Sequence, residues 1–175
     1  MVREAALQLA ELEMVTWIEP RRAFHALNVY ARGITQSGSS NQTPLYDAGL
    51  SGANETIGIA DSGIDMDHCF FQDDSCDPLD QLDESCRKVI FYQTMLADAA
   101  DLDDSGHGTH VAGSIAGNCD GVGGDVCSSS NNYHGVAFNA RLAFVDMGIA
   151  DSSQLLVPIN MDADLFTPLY EKGAR

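Results

Sequence analysis

Two histidines stand three residues apart in the stretch DDSGHGTHVAGSIAG, which runs from residue 103 to 117. Histidine titrates near neutral pH and also binds metals, so His107 and His110 could be a metal pair, a packed pair, or a catalytic base with a neighbour. The stretch lacks the glutamate of an H-E-x-x-H zinc site. His68 and His134 could become further metal ligands only if folding brings them close to the pair. We therefore expect no catalytic zinc site, and other metal binding stays unknown.

The residues that follow His107 are nearly all small, and residues 107–117 are predicted to form a helix that ends at Gly117 and Asn118. Glycine inside a helix costs about 0.5–1 kcal/mol, so close packing or exact placement is the expected reason for this composition. His107 opens the helix, which would direct its ring toward neighbouring strand ends. His110 lies about one turn further on and is interpreted as a packed, hydrogen-bonded residue.

Asp61 ends the apolar run in ETIGIADSG, the best candidate for a buried strand. Reactive groups of an open parallel sheet gather beyond the carboxyl ends of its strands, and Asp61 takes such a position. The alternative is an aspartate that only caps its own turn, which the local sequence by itself favours.

Strands alternate with helices along the chain, which predicts an α/β fold with a mainly parallel sheet and right-handed crossovers. The predicted strands are 55–63, 88–95 and one within 135–149, and the predicted helices are 107–117 and about 158–173.

The N-terminal part is predicted to be a separate segment. Residues 2–14 have a helical pattern, VTWI at 15–18 is typical of a short strand, and a helix-prone piece follows to about Ala31. Residues 33–44 lack periodicity and are interpreted as an exposed linker. The predicted units are therefore 1–35, a tail-like segment with the start of the linker, and 36–175.

Composition excludes some classes of protein. The net charge is −17, with only nine Lys and Arg residues, which argues against nucleic-acid binding. No apolar run is long enough to cross a membrane. The acidity favours solubility or a structural Ca²⁺ ion, which prefers oxygen ligands, but it defines no site. The N-terminus lacks the features of a secretory signal, so either the protein is intracellular or Met1 is not its natural start, and we favour the second.

The five cysteines suggest an oxidising compartment. No CxxC spacing occurs, whereas Cys76 with Cys86 and Cys119 with Cys127 each bracket a short polar loop that a disulfide could close. Cys69 is then left over, and five reduced thiols are the alternative. We expect an extracellular or secretory-pathway location.

Two motifs together resemble those of the subtilisin family of serine peptidases. IGIADSGIDMDH (57–68) is similar to the family's aspartate motif and HGTHVAGSIAG (107–117) to its histidine motif, in the family's order. The resemblance implies a three-layer α/β fold with helices on both faces of a mainly parallel central sheet. It also implies a serine endopeptidase that acts on protein or peptide substrates without a cofactor, with Asp61 orienting the base and His107 as the general base.

The chain also departs from the family pattern. It contains no Gly-Thr-Ser-Met-Ala-type segment for the nucleophile, and Ser62 and Ser114 stand in other contexts. The chain resembles the N-terminal half of a catalytic domain, and we expect it to be inactive alone. Residues 15–36 are weakly similar to the segment between the propeptide and the mature domain of some family members, so a propeptide is a candidate partner.

Two other hypotheses stay open. A truncated, non-catalytic protein that binds peptides or a partner chain would account for the missing serine motif. A metal-binding loop protein would account for the histidine pair and for the Asp-rich stretches 73–84 and 98–104.

Overall fold

A three-stranded parallel sheet lies at the centre of the computed structural model, with the strands in the order β1-β3-β2. The strands are β1 (Thr56–Asp61), β2 (Val89–Thr94) and β3 (Arg141–Asp146). The register places Asp61 and Thr94 beside Asp146, so all three strands end at the same edge. The structure describes residues 2–12, 14–18, 28–96, 103, 106–118, 133–150, 152 and 154–175.

Five α-helices and one π-helical segment are present in the described part of the chain. They are α1 (Val2–Ala10), α2 (Asn28–Ser37), α3 (Pro44–Asp47), α4 (His107–Ala116), a π-helical segment (Asp162–Phe166) and, directly after it, α5 (Thr167–Glu171).

The central strand β3 buries side chains on both faces of the sheet. Leu142 and Phe144 join one apolar core, whereas Ala143 and Val145 join the other. Successive side chains of a strand point to opposite faces, so a strand covered on both sides reads as a continuous apolar run. This explains why RLAFVD does not alternate between apolar and polar residues.

Helices cover the two faces separately. Ala112 and Ala116 of α4 pack in the first core, and Leu165 and Leu169 of the C-terminal helical region pack in the second. The predicted α/β architecture, a parallel sheet with helices on both faces, is therefore confirmed. None of the helices in the described part of the chain has the length and apolar character needed to cross a bilayer.

The prediction of a strand at VTWI was wrong. Residues 15–18 have no regular secondary structure, and Trp17 is 78% exposed. A strand needs a neighbouring strand to pair its backbone groups, and the apolar pattern of four residues carries no information about such a partner.

The exposed linker predicted over 33–44 is shorter in the structure, where only residues 38–43 connect two helices. Helix α2 continues to Ser37, and α3 begins at Pro44. The turn between them is held by the Ser37 hydroxyl, which lies within hydrogen-bond distance of the carbonyls of Gly33, Ser39 and Gln42. The predicted boundary between residues 35 and 36 falls inside α2 and stays a prediction.

The cysteine pairing is confirmed where the structure describes it. Cys76 and Cys86 form a disulfide across their ten-residue separation. Cys69 is half-buried. Cys119 and Cys127 lie outside the described residues.

Candidate active site

Asp61 is the last residue of β1 and is buried, with its side chain 12% exposed. The chain turns directly afterwards, where Gly63 adopts the left-handed conformation (φ 110°) that favours glycine. The Ser62 backbone N–H donates a hydrogen bond of 2.7 Å to Asp61 Oδ1. The turn therefore fixes this carboxylate and supplies a donor for its charged form.

His107 is the first residue of α4, and its Nδ1 lies 2.7 Å from Asp61 Oδ1. The structure thus brings together the two site residues predicted from the sequence. A carboxylate accepts this hydrogen bond, so Nδ1 carries the proton and Nε2 of the neutral ring is left as the acceptor. The His107 side chain is 68% exposed, so a reacting group could approach the ring.

The pKa of His107 is raised above its ordinary value. The hydrogen bond to Asp61 is the main cause, the negative charge of Asp61 adds to it, and Asp103 makes a smaller contribution of the same sign. The carboxylates stabilise the imidazolium form, which a general base becomes when it takes a proton.

Gly108 permits helix α4 to approach the end of β1. A Cβ atom at Gly108 would overlap the carbonyl oxygen of Gly63 and lie 3.2 Å from the Cβ of Asp61. The small residues of the histidine motif were predicted to allow close packing. At Gly108 this packing is seen, because the backbone of the turn after β1 occupies the space that a side chain would need.

Asp103 joins the loop after β1 to the start of α4, although it belongs to neither. Its Oδ1 accepts a 2.9 Å hydrogen bond from the Ser62 hydroxyl, and its Oδ2 accepts one of 2.7 Å from the Thr109 backbone N–H. The Ser62 hydroxyl in turn accepts a hydrogen bond from the Gly108 N–H. Two backbone donors of the first helical turn are thereby satisfied, as an N-cap side chain would do.

Replacing Asp103 with alanine is therefore expected to lower the free energy of unfolding by about 0.5–2 kcal/mol, the usual cost of losing a helix cap. Urea unfolding followed by circular dichroism measures this. Asp67, an exposed carboxylate in the same part of the protein, is the control, because Asp67→Ala should change stability by less than about 0.5 kcal/mol. Equal losses for both variants would contradict the capping role.

Sequence reasoning missed Asp103 as a site residue. Its partners Ser62 and Thr109 belong to two different motifs, so the signal was only an aspartate four residues before His107. His110 was predicted to be a packed, hydrogen-bonded residue, but its side chain is exposed. The hydroxyl of the neighbouring Thr109 accepts a hydrogen bond of 2.9 Å from the Asp65 backbone N–H.

Among the described residues, one cluster of potential metal ligands has its ligand atoms close together, and it consists of Cys76, Asp83 and Cys86. Its two sulfur atoms are joined in the disulfide, so they are not thiolate ligands. Within the same part of the chain, His107 and His110 belong to no such cluster.

The known proteins that this chain resembles are described as proteases. Residues 52–163 match the model of the Subtilase family. A serine protease/ABC transporter B family protein, tagA of Dictyostelium discoideum, is 33% identical over 96% of this chain, and tagD of the same organism is 38% identical over 74%. A subtilisin-like protease of Coccidioides posadasii (strain C735) is 31% identical over 62% of the chain.

The chain matches only a small part of these relatives. It covers 9% of tagA, 7% of tagD and 25% of the Coccidioides protein. The region that matches the family model, residues 52–163, contains the strand that ends in Asp61 and the helix that begins with His107.

Proposed function

The chain belongs to the subtilase family, and we propose from this premise that Asp61 and His107 are the carboxylate and the general base of a serine endopeptidase. The observation that carries the proposal is the 2.7 Å contact between His107 Nδ1 and Asp61 Oδ1 at the carboxyl edge of a parallel sheet. The substrates are proteins or peptides, and the chemistry needs no cofactor.

In the proposed reaction, Asp61 holds the His107 ring so that Nε2 can take the proton of a serine hydroxyl. The serine then attacks the peptide carbonyl to form an acyl-enzyme. The imidazolium that results is stabilised by Asp61 and returns its proton to the leaving amine. The raised pKa of His107 supports this assignment, because it reports the same preference for the charged ring.

The nucleophile is the component that this chain does not supply in a recognisable form. Its sequence contains no Gly-Thr-Ser-Met-Ala-type motif, and the Ser62 hydroxyl is committed to Asp103 and Gly108. We propose that the 175-residue chain alone does not hydrolyse peptide bonds. In subtilisin itself, the reference case for this figure, loss of the serine lowers kcat by about 10⁶-fold.

A fluorophosphonate probe, which labels activated serines, tests this inactivity. We expect no labelling of the purified chain under conditions in which subtilisin is labelled fully, because labelling requires a serine beside His107. Stoichiometric labelling, located by mass spectrometry of the tryptic peptides, would show that one of the chain's own serines is the nucleophile.

Sequencing the transcript in frame beyond Arg175 tests the peptidase proposal itself. An in-frame Gly-Thr-Ser motif whose product cleaves casein, and loses this activity on His107→Ala, would support it. A product that carries the motif and is unaffected by His107→Ala would refute the role of His107.

A non-catalytic protein that binds peptides is the second candidate, and the lack of a serine motif favours it. It predicts peptide binding that does not change on His107→Ala.

We further propose an extracellular or secretory-pathway location, which the disulfide between Cys76 and Cys86 supports. A propeptide partner remains a proposal from the family resemblance, and a structural Ca²⁺ ion remains a proposal from the acidic composition. Calorimetric titration with CaCl₂ tests the second of these.

A further inference from the structure

A cavity of about 650 Å³ lies beside the helix that carries His107. Its walls come from α2, from the loop after β1, from the exposed side of α4 and from the segment 133–136. Among the described residues that line it, neither Asp61 nor His107 is included. The cavity is large enough for a small organic molecule and is separate from the proposed acid–base pair.

Arg32 is the buried charged side chain in this wall. It is only 8% exposed, and its Nη1 donates one long hydrogen bond of 3.5 Å to the carbonyl oxygen of His134. Within the part of the chain that the structure describes, no carboxylate forms an ion pair with it. A guanidinium has five N–H donors, and burying its charge is costly unless an anion and further acceptors satisfy it.

The rest of the lining restricts the anion. Phe70, Phe71 and Val136 supply apolar surface. Asp65 and Asp103 also line the cavity, and their negative charges disfavour a ligand that carries several charges of its own. A carboxylate matches the planar fork of a guanidinium with two parallel hydrogen bonds.

We propose that this cavity binds a monocarboxylate with an apolar body, whose carboxylate pairs with Arg32. The ligand is either a small aromatic or aliphatic acid or the C-terminal residue of a peptide, which share this chemistry. The site does not depend on the peptidase proposal, because neither Asp61 nor His107 contacts the ligand.

Isothermal titration calorimetry with N-acetylphenylalanine tests the site. We expect the acid to bind at least about tenfold more tightly than N-acetylphenylalaninamide, which has the same body without the charge. Inorganic phosphate should bind more weakly than the acid. An acetylated tripeptide that ends in phenylalanine separates the sources, because tighter binding indicates a peptide C-terminus and weaker binding indicates a small acid.

Two variants connect the binding to Arg32. Arg32→Gln should weaken binding of the acid by about tenfold or more. Arg175→Gln should not, since the Arg175 backbone N–H bonds the Thr56 carbonyl at the opposite end of β1. Its side chain contacts the Tyr170 ring and the carbonyls of Tyr170 and Ala174. Arg32→Lys keeps the charge without the fork and should give an intermediate affinity, which provides a test if Arg32→Gln fails to fold.

The proposal is overturned if the acid and its amide bind equally, if phosphate binds more tightly than the acid, or if no binding is seen at about 10 mM acid. It is also overturned if folded Arg32→Gln or Arg32→Lys, checked by circular dichroism, binds the acid as tightly as the unmodified chain does.

Discussion

Replacing Gly108 with alanine is expected to destabilise the protein by about 3 kcal/mol and to separate His107 from Asp61. The new methyl group would overlap the carbonyl oxygen of Gly63, which is backbone and cannot rotate away. Either α4 or the turn after β1 must move, and both carry a member of the pair. Urea unfolding measures the loss of stability, and the NMR signals of His107 report the loss of the contact.

Gly113 provides the matched control in the same helix. A Cβ atom there would lie 3.9 Å from Phe71 and 4.0 Å from Phe70, which are ordinary contacts. Because glycine inside a helix costs about 0.5–1 kcal/mol relative to alanine, Gly113→Ala should stabilise the chain by about that amount. If Gly108→Ala were as well tolerated as Gly113→Ala, close approach of α4 to β1 would not be what positions His107.

The second large effect concerns Asp61. If a product that extends beyond Arg175 carries the serine motif, Asp61→Asn in that product is expected to lower kcat by about 10⁴-fold, the loss that the same exchange causes in the Ser-His-Asp triad of a serine protease. An amide can donate to Nδ1, which would favour the tautomer that leaves no acceptor at Nε2. It also removes the charge that stabilises the imidazolium.

Asp67→Asn is the control for this experiment, since Asp67 is exposed and lies six residues after Asp61. Its kcat should stay within about twofold of the unmodified enzyme. The rate of peptide hydrolysis at saturating substrate gives kcat for both variants. A loss below about tenfold for Asp61→Asn would mean that Asp61 is a turn residue, the alternative that local sequence favours.

The sequence was sufficient to predict the three strands of the sheet, the place of Asp61 at a strand end and the place of His107 at a helix start, because each depends on local pattern. The run before Asp61 is apolar and β-branched, and the helix that His107 opens is marked by a stop at Gly117. The strand order β1-β3-β2 and the bridging role of Asp103 could not be predicted from the sequence. Both depend on contacts between distant segments, as in the hydrogen bond from Ser62 to Asp103, 41 residues away.

The errors have the same origin. VTWI has the composition of a strand, but a strand forms only with a partner, and Trp17 stays exposed. The segment after Gly33 has the composition of a linker, but the Ser37 hydroxyl accepts a hydrogen bond from the Ser39 N–H and can donate one to a backbone carbonyl, which composition does not reveal.

The raised pKa of His107 also fixes the sign of two pH effects. Folding favours the protonated ring, so this contribution to stability is fully present below the ordinary pKa of 6.5 and is lost as the pH rises through the raised value. Catalysis requires the neutral ring, so the proposed base becomes available only as the pH passes through that same value.

The most direct test of the central claim, that Asp61 and His107 form an acid–base pair, is an NMR titration of His107 in the 175-residue chain. His107→Gln identifies the signal among the five histidines. We predict a pKa above 6.5 that falls on Asp61→Asn and is unchanged on Asp67→Asn. A pKa at or below 6.5 that does not respond to Asp61→Asn would contradict the pairing.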